Sequence, residues 1–354
     1  MGEILGIGLT HYPPLVGPDE NMTRILKATI NQPGYPDEYR DPRSWPEEMR
    51  REWGDDDGAT AAARHREKLV GWFRRLREEI EAFRPDLLLI WGDDQYENFR
   101  EDVVPAFCVL AYDEHEAQPW TGELMRLLGG SNVWGEPEGT TFRYPGHRAA
   151  GKYLAARLLE EGFDVAYAYR PLHHGLGHAF LNALLFLDYD RKGLGYAVLP
   201  FQVNCYGRRV IAQRGGLPNF SRPLGEDELD PPAPAPWRCF DLGRAVARAL
   251  AGSPWRAVLI ASSSWSHAFL TAKTHFLHPD HEADRRLYEA LREGSYEVWR
   301  EYPLSAIEDS GQQEVLNWMC LVGAMAELGR RPDESEFITT WVLNSNKVFA
   351  IFRP

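Results

Sequence analysis

Leu87-Leu88-Leu89-Ile90-Trp91-Gly92-Asp93-Asp94-Gln95-Tyr96-Glu97-Asn98-Phe99 changes character once, at Gly92, where five apolar residues give way to side chains that carry charge or hydrogen bonds. A short apolar run with polar boundaries reads as a strand buried on both faces. Just before it, Ala61–Phe83 has helical period and is rich in strong helix formers. Moving outward in both directions, the same alternation recurs. Apolar runs stand at Ile4–Leu9, Phe107–Tyr112, Val165–Tyr169, Tyr196–Val203, Ala257–Ala261 and Val348–Phe352, and helical segments at Ala149–Glu161, Ala179–Phe186, Leu242–Ala251, Ala283–Glu293 and Gln312–Leu328. This pattern predicts an α/β fold: a single domain over residues 1–354, with a central mixed or parallel sheet flanked by helices. Two Pro- and Gly-rich stretches, about 31–57 and 215–236, interrupt it as irregular insertions.

Composition narrows the function. The 354 residues carry 52 acidic against 39 basic side chains, a formal net charge of -13, which repels phosphate backbones, so no nucleic-acid partner is expected. Cys108, Cys205, Cys239 and Cys320 form no CxxC pair, which argues against a zinc knuckle or a disulfide framework and fits a reducing compartment. No apolar stretch reaches membrane-spanning length and the first residues lack a basic-then-apolar signal, so a cytoplasmic protein without a membrane partner is expected.

Ligands of open α/β sheets bind beyond the carboxyl ends of the strands. Four predicted strand ends carry chemistry there: Thr10-His11, Asp93-Asp94-Gln95, the stretch Arg170-Pro171-Leu172-His173-His174-Gly175-Leu176-Gly177-His178, and Ser264-Trp265-Ser266-His267. His174 and His178 are four residues apart near a helix start, a spacing that puts both rings on one face and suits a metal pair or two supporting donors. Glu314 leads an apolar segment with Trp318 one turn on, so it faces inward toward a partner or outward to water. Asp93 and Asp94 either orient ligands or cap the strand end. His275, His278 and His281 read as surface residues, because Pro279 breaks their phase.

Taken together, Thr10-His11, Gly92-Asp93-Asp94-Gln95 with Glu97-Asn98-Phe99, His174-Gly175, Ser264-Trp265-Ser266-His267, and Glu314 with Trp318 and Gly323-Ala324 resemble the class III extradiol ring-cleavage dioxygenases. The likeness is to the protocatechuate 4,5-dioxygenase catalytic-subunit type, and within it to the 3-O-methylgallate dioxygenase-like branch. It spans nearly the whole chain and implies that fold. It also implies a non-haem Fe(II) site, with Mn(II) as an alternative, held by His11, Gln95 and Glu314, and proton handling by His267 and His174 with His178 beside them. The substrates implied are a small substituted catechol and O2, with the ring opened next to the two hydroxyl carbons. Gln95 stands where the family pattern has histidine, which leaves His174 or His178 as substitute ligands and a metal-dependent hydrolase or lyase, or a silent paralogue, as other readings. A homodimer is the expected assembly. Tyr12, Tyr96, Arg170 and Asn204 are expected substrate contacts.

Overall fold

The computed structural model describes residues 2–121, 125 and 129–354. Ten strands are present among them: β1 (Ile4–Leu9), β2 (Leu87–Gly92), β3 (Phe107–Leu110), β4 (Glu114–Ala117), β5 (Phe142–Pro145), β6 (Ala166–Ala168), β7 (Ala197–Val203), β8 (Ala257–Ser262), β9 (Glu334–Ile338) and β10 (Lys347–Phe352). The helices are α1 (Arg24–Ile30), α2 (Glu47–Trp53), α3 (Ala59–Phe83), α4 (Arg148–Glu160), α5 (His178–Leu187), α6 (Pro236–Ala251), α7 (His281–Glu293), α8 (Tyr296–Arg300), α9 (Leu304–Asp309) and α10 (Val315–Glu327).

Eight strands form one mixed sheet in the order β6-β3-β7-β2-β8-β1-β10-β9, and β4 and β5 make a separate hairpin. The central four, β7, β2, β8 and β1, run parallel. Both faces are covered, which is why β2 is apolar at consecutive positions: Leu87, Leu89 and Trp91 join one core with α4, α6 and α10, while Leu88 and Ile90 join the other with α3 and α5. On the first face α6 and α10 touch backbone to backbone. A Cβ on Gly243 would stand 1.8 Å from Cys320 O, and one on Gly323 2.0 Å from Phe240 O, so these two glycines set the depth at which the α10 layer lies on the sheet.

Among the differences from the sequence reading, three bear on the main sheet and the site. The run Val165–Tyr169 yields only a three-residue edge strand, and it points the other way: β3 is antiparallel to β7, and β6 is parallel to β3. Its carboxyl end is therefore at the opposite rim from those of β1, β2 and β8. His174 and His178 reach the site because the segment 169–177 returns across the sheet before α5 begins. Apolar periodicity marks a strand but carries no information on its direction. The last long helix starts at Val315 and not at Gln312, so Gln312, Gln313 and Glu314 form a buried turn ahead of it. Finally β9, Glu334-Ser335-Glu336-Phe337-Ile338, was not expected as a strand. It is a polar edge whose Glu334 and Glu336 pair with Arg75 and Lys68 of α3.

Candidate active site

The parallel strands β1, β2, β7 and β8 end side by side, and each contributes a side chain to one buried cluster. His11 follows β1 and is 1% exposed. Its Nδ1–H donates to the Ser262 carbonyl at 3.0 Å, which turns Nε2 toward Glu314 Oε2 at 3.4 Å and Asp93 Oδ1 at 3.9 Å. Two carboxylate oxygens therefore face an imidazole lone pair, an arrangement that calls for a proton or a cation between them. Burial works against a charged His11, but Glu314 and then Asp93 outweigh it and raise the group above its ordinary value.

Glu314 is the residue before α10, and β1 lets it come this close. Gly8 presents no side chain to the ring of Trp318, on which a Cβ would sit at 1.9 Å. One carboxylate oxygen, Oε1, accepts from Tyr206 Oη at 2.8 Å and lies 3.4 Å from both Gln95 Nε2 and His267 Nε2. The other, Oε2, is buried without a hydrogen-bond partner, as is Asp93 Oδ2. Burial pushes Glu314 up, yet the His267 and His11 imidazoles overcome it and hold the group down at about 2. Asp93 moves the opposite way, to about 7, through burial and the neighbouring Glu314 charge.

His267 lies beyond β8, and its backbone N–H donates to Gly311 O at 2.7 Å, tying it to the Glu314 turn. Burial lowers it against the pull of Glu314, so it stays neutral near pH 7 and is free to accept a proton. His178, at the start of α5, packs edge-on to His11 with ring centroids 5.1 Å apart, and its Nδ1 bonds Glu97 Oε2 at 2.8 Å. Burial disfavours its charge, but Glu97 prevails and raises it to about 10. His174 sits at the mouth with a buried, unpartnered Nδ1. It lines a cleft of about 70 Å³ together with Glu97, Gln118, Trp120, His178 and Asn182. A larger groove of about 440 Å³ near Trp237 and Tyr302 is lined by none of these residues.

His11, Gln95, Glu314 and His267 thus converge, with His178 next to His11 and His174 on the cleft side. The two aspartates divide the roles foreseen for them. Asp94 caps the loop by accepting backbone N–H groups of Glu97, Asn98 and Phe99, whereas Asp93 faces His11. His173 pairs with Asp102, outside the cluster. His275 is exposed, but His278 and His281 are half-buried against Trp341 and not on the surface as expected, because the Asp280-capped start of α7 folds them inward. None of the four expected substrate contacts lines the cleft: Tyr12 is buried and donates to Met22 O, Tyr96 turns out to Glu101, Asn204 accepts from Gly207 N, and Arg170 is exposed. Tyr206 was missed. Its signal was available, since Tyr196–Val203 reads as a strand and Asn204-Cys205-Tyr206 comes directly after it.

The donor set suits a divalent cation. His11, Asp93 and His178 each offer a donor atom within 4.8 Å of the others, and Glu314 Oε2 is 3.4 Å from His11 Nε2. Ligand atoms about 2.1 Å from one ion stand roughly 3–4 Å apart, and unpartnered carboxylate oxygens are what an ion would satisfy.

A family profile described as the catalytic LigB subunit of aromatic ring-opening dioxygenase matches residues 229–349, the stretch that carries His267, Glu314, α6 and α10. Among curated proteins, the 2,3-dihydroxyphenylpropionate/2,3-dihydroxicinnamic acid 1,2-dioxygenase of Photorhabdus laumondii subsp. laumondii is 26% identical over 195 residues, 55% of this chain and 47% of the relative. A second enzyme of that name from Pseudomonas putida is 29% identical over 196 residues, again 55% of this chain and 47% of the relative. That of Rhodococcus rhodochrous aligns over 314 residues at 26% identity, 79% of this chain and 89% of the relative. These matches support a relationship to the class III extradiol dioxygenase superfamily. The chain spans about half the length of the first two relatives. No helix among the described residues is long and apolar enough to cross a membrane.

Proposed function

We propose that this chain is an extradiol dioxygenase that opens the ring of a substituted catechol with O2 at one non-haem Fe(II), with Mn(II) as the alternative metal. The observation that carries the reading is the convergence of His11 Nε2, the unpartnered Glu314 Oε2 and His267 Nε2 at the carboxyl ends of β1 and β8. His11 and Glu314 are the proposed metal ligands. A bound Fe(II) supplies Lewis acidity toward the two catechol oxygens and a route for electrons from the ring to O2.

The chain's own groups do the rest. Neutral His267 accepts a phenolic proton and later returns it, His174 hydrogen-bonds the ring from the cleft side, and the His178–Glu97 pair supports the His11 face. A buried site keeps these bonds strong and water out. The relatives' printed substrates make 2,3-dihydroxyphenylpropionate a member of the substrate panel, beside protocatechuate, gallate and methylgallate. A cytoplasmic homodimer is part of the same proposal.

A second reading, a hydrolase or lyase using a redox-inactive metal, is favoured by the two carboxylates, Glu314 and Asp93, that face His11. One experiment separates the two. Protein loaded with Fe(II) without air is mixed with each catechol in an oxygen electrode while the absorbance of the ring-opened product is followed. The proposal expects O2 uptake matched to product, and His267→Ala lowering kcat by about 10²–10⁴ with the metal still bound. Metal-loaded protein that consumes no O2 across the panel sinks it, and turnover without O2 establishes the second reading.

A further inference from the structure

The two oxygens of Glu314 have different surroundings. Oε1 takes the Tyr206 hydroxyl at 2.8 Å and faces Gln95 Nε2 and His267 Nε2, both at 3.4 Å, while Oε2 has no hydrogen-bond partner and faces His11 Nε2. Gln95 Nε2 also makes a short hydrogen bond to the Tyr206 oxygen. The donor inventory fixes the direction of these bonds. A phenol has one proton to give, and Tyr206 gives it to Glu314, so the amide can approach the phenol oxygen only as an N–H donor. Turning the amide round would set Gln95 Oε1 against the lone pairs of both Tyr206 and Glu314. The chain also restrains Gln95 from behind: Gly215, with φ +60, presses its backbone so close that a Cβ there would stand 2.8 Å from Gln95 Cγ.

We propose that Tyr206 and Gln95 form a clamp that occupies Glu314 Oε1, so that Glu314 binds the metal through Oε2 alone and Gln95 is a positioning residue and not a ligand. The inference rests on the proposed metal site and changes one member of the ligand set implied by resemblance. It also gives the 215–236 insertion a task, since Gly215 holds the amide in place. Groups that orient a metal's ligands typically contribute ten- to hundredfold in affinity.

The test is titration of metal-free protein with Mn(II) alone, reading free Mn(II) by paramagnetic resonance, for the native protein and for Glu314→Gln, Tyr206→Phe, Gln95→Leu and the Tyr206→Phe/Gln95→Leu pair. Circular dichroism establishes that each variant is folded, and Gln95→Met replaces Gln95→Leu if the latter is not. The clamp predicts this ranking: Glu314→Gln weakens Mn(II) most, Tyr206→Phe by about 10–100-fold, Gln95→Leu by no more than Tyr206→Phe, and the pair by little more than Tyr206→Phe because both act through one oxygen. Gln95→Leu as damaging as Glu314→Gln, with Tyr206→Phe silent, overturns the clamp and makes Gln95 a ligand. Mn(II) binding unaffected by Glu314→Gln overturns the metal site itself, and the clamp with it. Absence of O2 uptake alongside the predicted ranking would count against the proposed reaction and leave the clamp standing.

Discussion

At the scale of single residues, the site depends as much on what is missing as on what is present. Gly8 has no side chain because the Trp318 ring occupies that space, and Trp318 cannot retreat, being packed edge-on against Trp265 with centroids 5.4 Å apart. Gly8→Ala therefore pushes α10, and Glu314 with it, away from β1. The expected cost is about 3 kcal/mol, at the upper end for overpacking, read as a lower urea midpoint at unchanged slope. Mn(II) affinity should fall in parallel; a variant with native midpoint and affinity would show that the sheet and helix part more easily than their packing implies. The sequence made Gly8 visible only as a glycine in an apolar run. That it faces Trp318, more than 300 positions away, is a fact of tertiary packing, just as the meeting of Tyr206, Gln95 and Glu314 is. His11 and His267 could be read as candidates because they follow strand ends, whereas the reading of Glu314, His174 and His178 rests on the resemblance and not on the direction of the strand before them.

Elements are where the reading from sequence succeeded best and where its failures share a cause. β1, β2, β7, β8 and β10 were legible because burial on both faces writes itself as continuous apolar runs. β9 escaped because an edge strand is half solvated, and β6 misled because direction is set by neighbours and not by local pattern. The insertions also gained structure that composition could not announce: Ser221 Oγ of one donates to Pro33 O of the other at 2.9 Å, and the Tyr35 and Phe220 rings meet at 5.0 Å. The loops that come after β8, before α10 and before β10 are joined by one buried carboxylate on α7. Asp284 accepts from Ser266 N at 3.1 Å, Gln312 Nε2 at 2.7 Å and Asn346 Nδ2 at 2.8 Å. Ser266 precedes His267 and Gln312 stands two residues before Glu314. Asp284→Ala leaves three buried donors without an acceptor and should cost on the order of 3 kcal/mol. Amide exchange at 265–268 and 311–315 should quicken with it. Asp284→Asn should recover much of the loss, because Gln312 Oε1 is free of partners and its amide can turn to accept from the new one. Exchange confined to other segments would mean that Asp284 does not hold these loops.

Across the whole molecule, the response to acid is a contest between two buried populations. His115 in the β4–β5 hairpin and His281 on α7 are each lowered to about 4, the first chiefly by burial, the second by burial and then His278. His65 on α3 is lowered as well, by burial and the Lys347 charge. Their folded pKa values are depressed below the ordinary 6.5, so the stability they contribute is complete above 6.5 and is lost as pH falls, through about 4 for His115 and His281. Asp94 and Asp284 oppose them. Burial raises both to about 7 from 3.8, so their contribution is complete below 3.8 and is lost as pH rises through about 7. Between about pH 6.5 and 4 the unfolded chain takes up protons at the histidines while the folded chain holds them at the aspartates, and the two slopes subtract. Native stability should therefore vary less over this window than either group alone would dictate, at about 1.4 kcal/mol per pH unit for each uncompensated proton. Single substitutions expose the balance. His115→Gln keeps a donor for the Val198 carbonyl, which His115 Nε2 meets at 3.1 Å, but cannot take up a proton, so urea midpoints measured from pH 7 to 4 should fall less steeply toward acid than in the native protein. Asp284→Asn removes a group from the other side and should make the fall steeper. Slopes that change in the same direction for both variants would show that one of the two groups is not titrating in the folded state as its surroundings require.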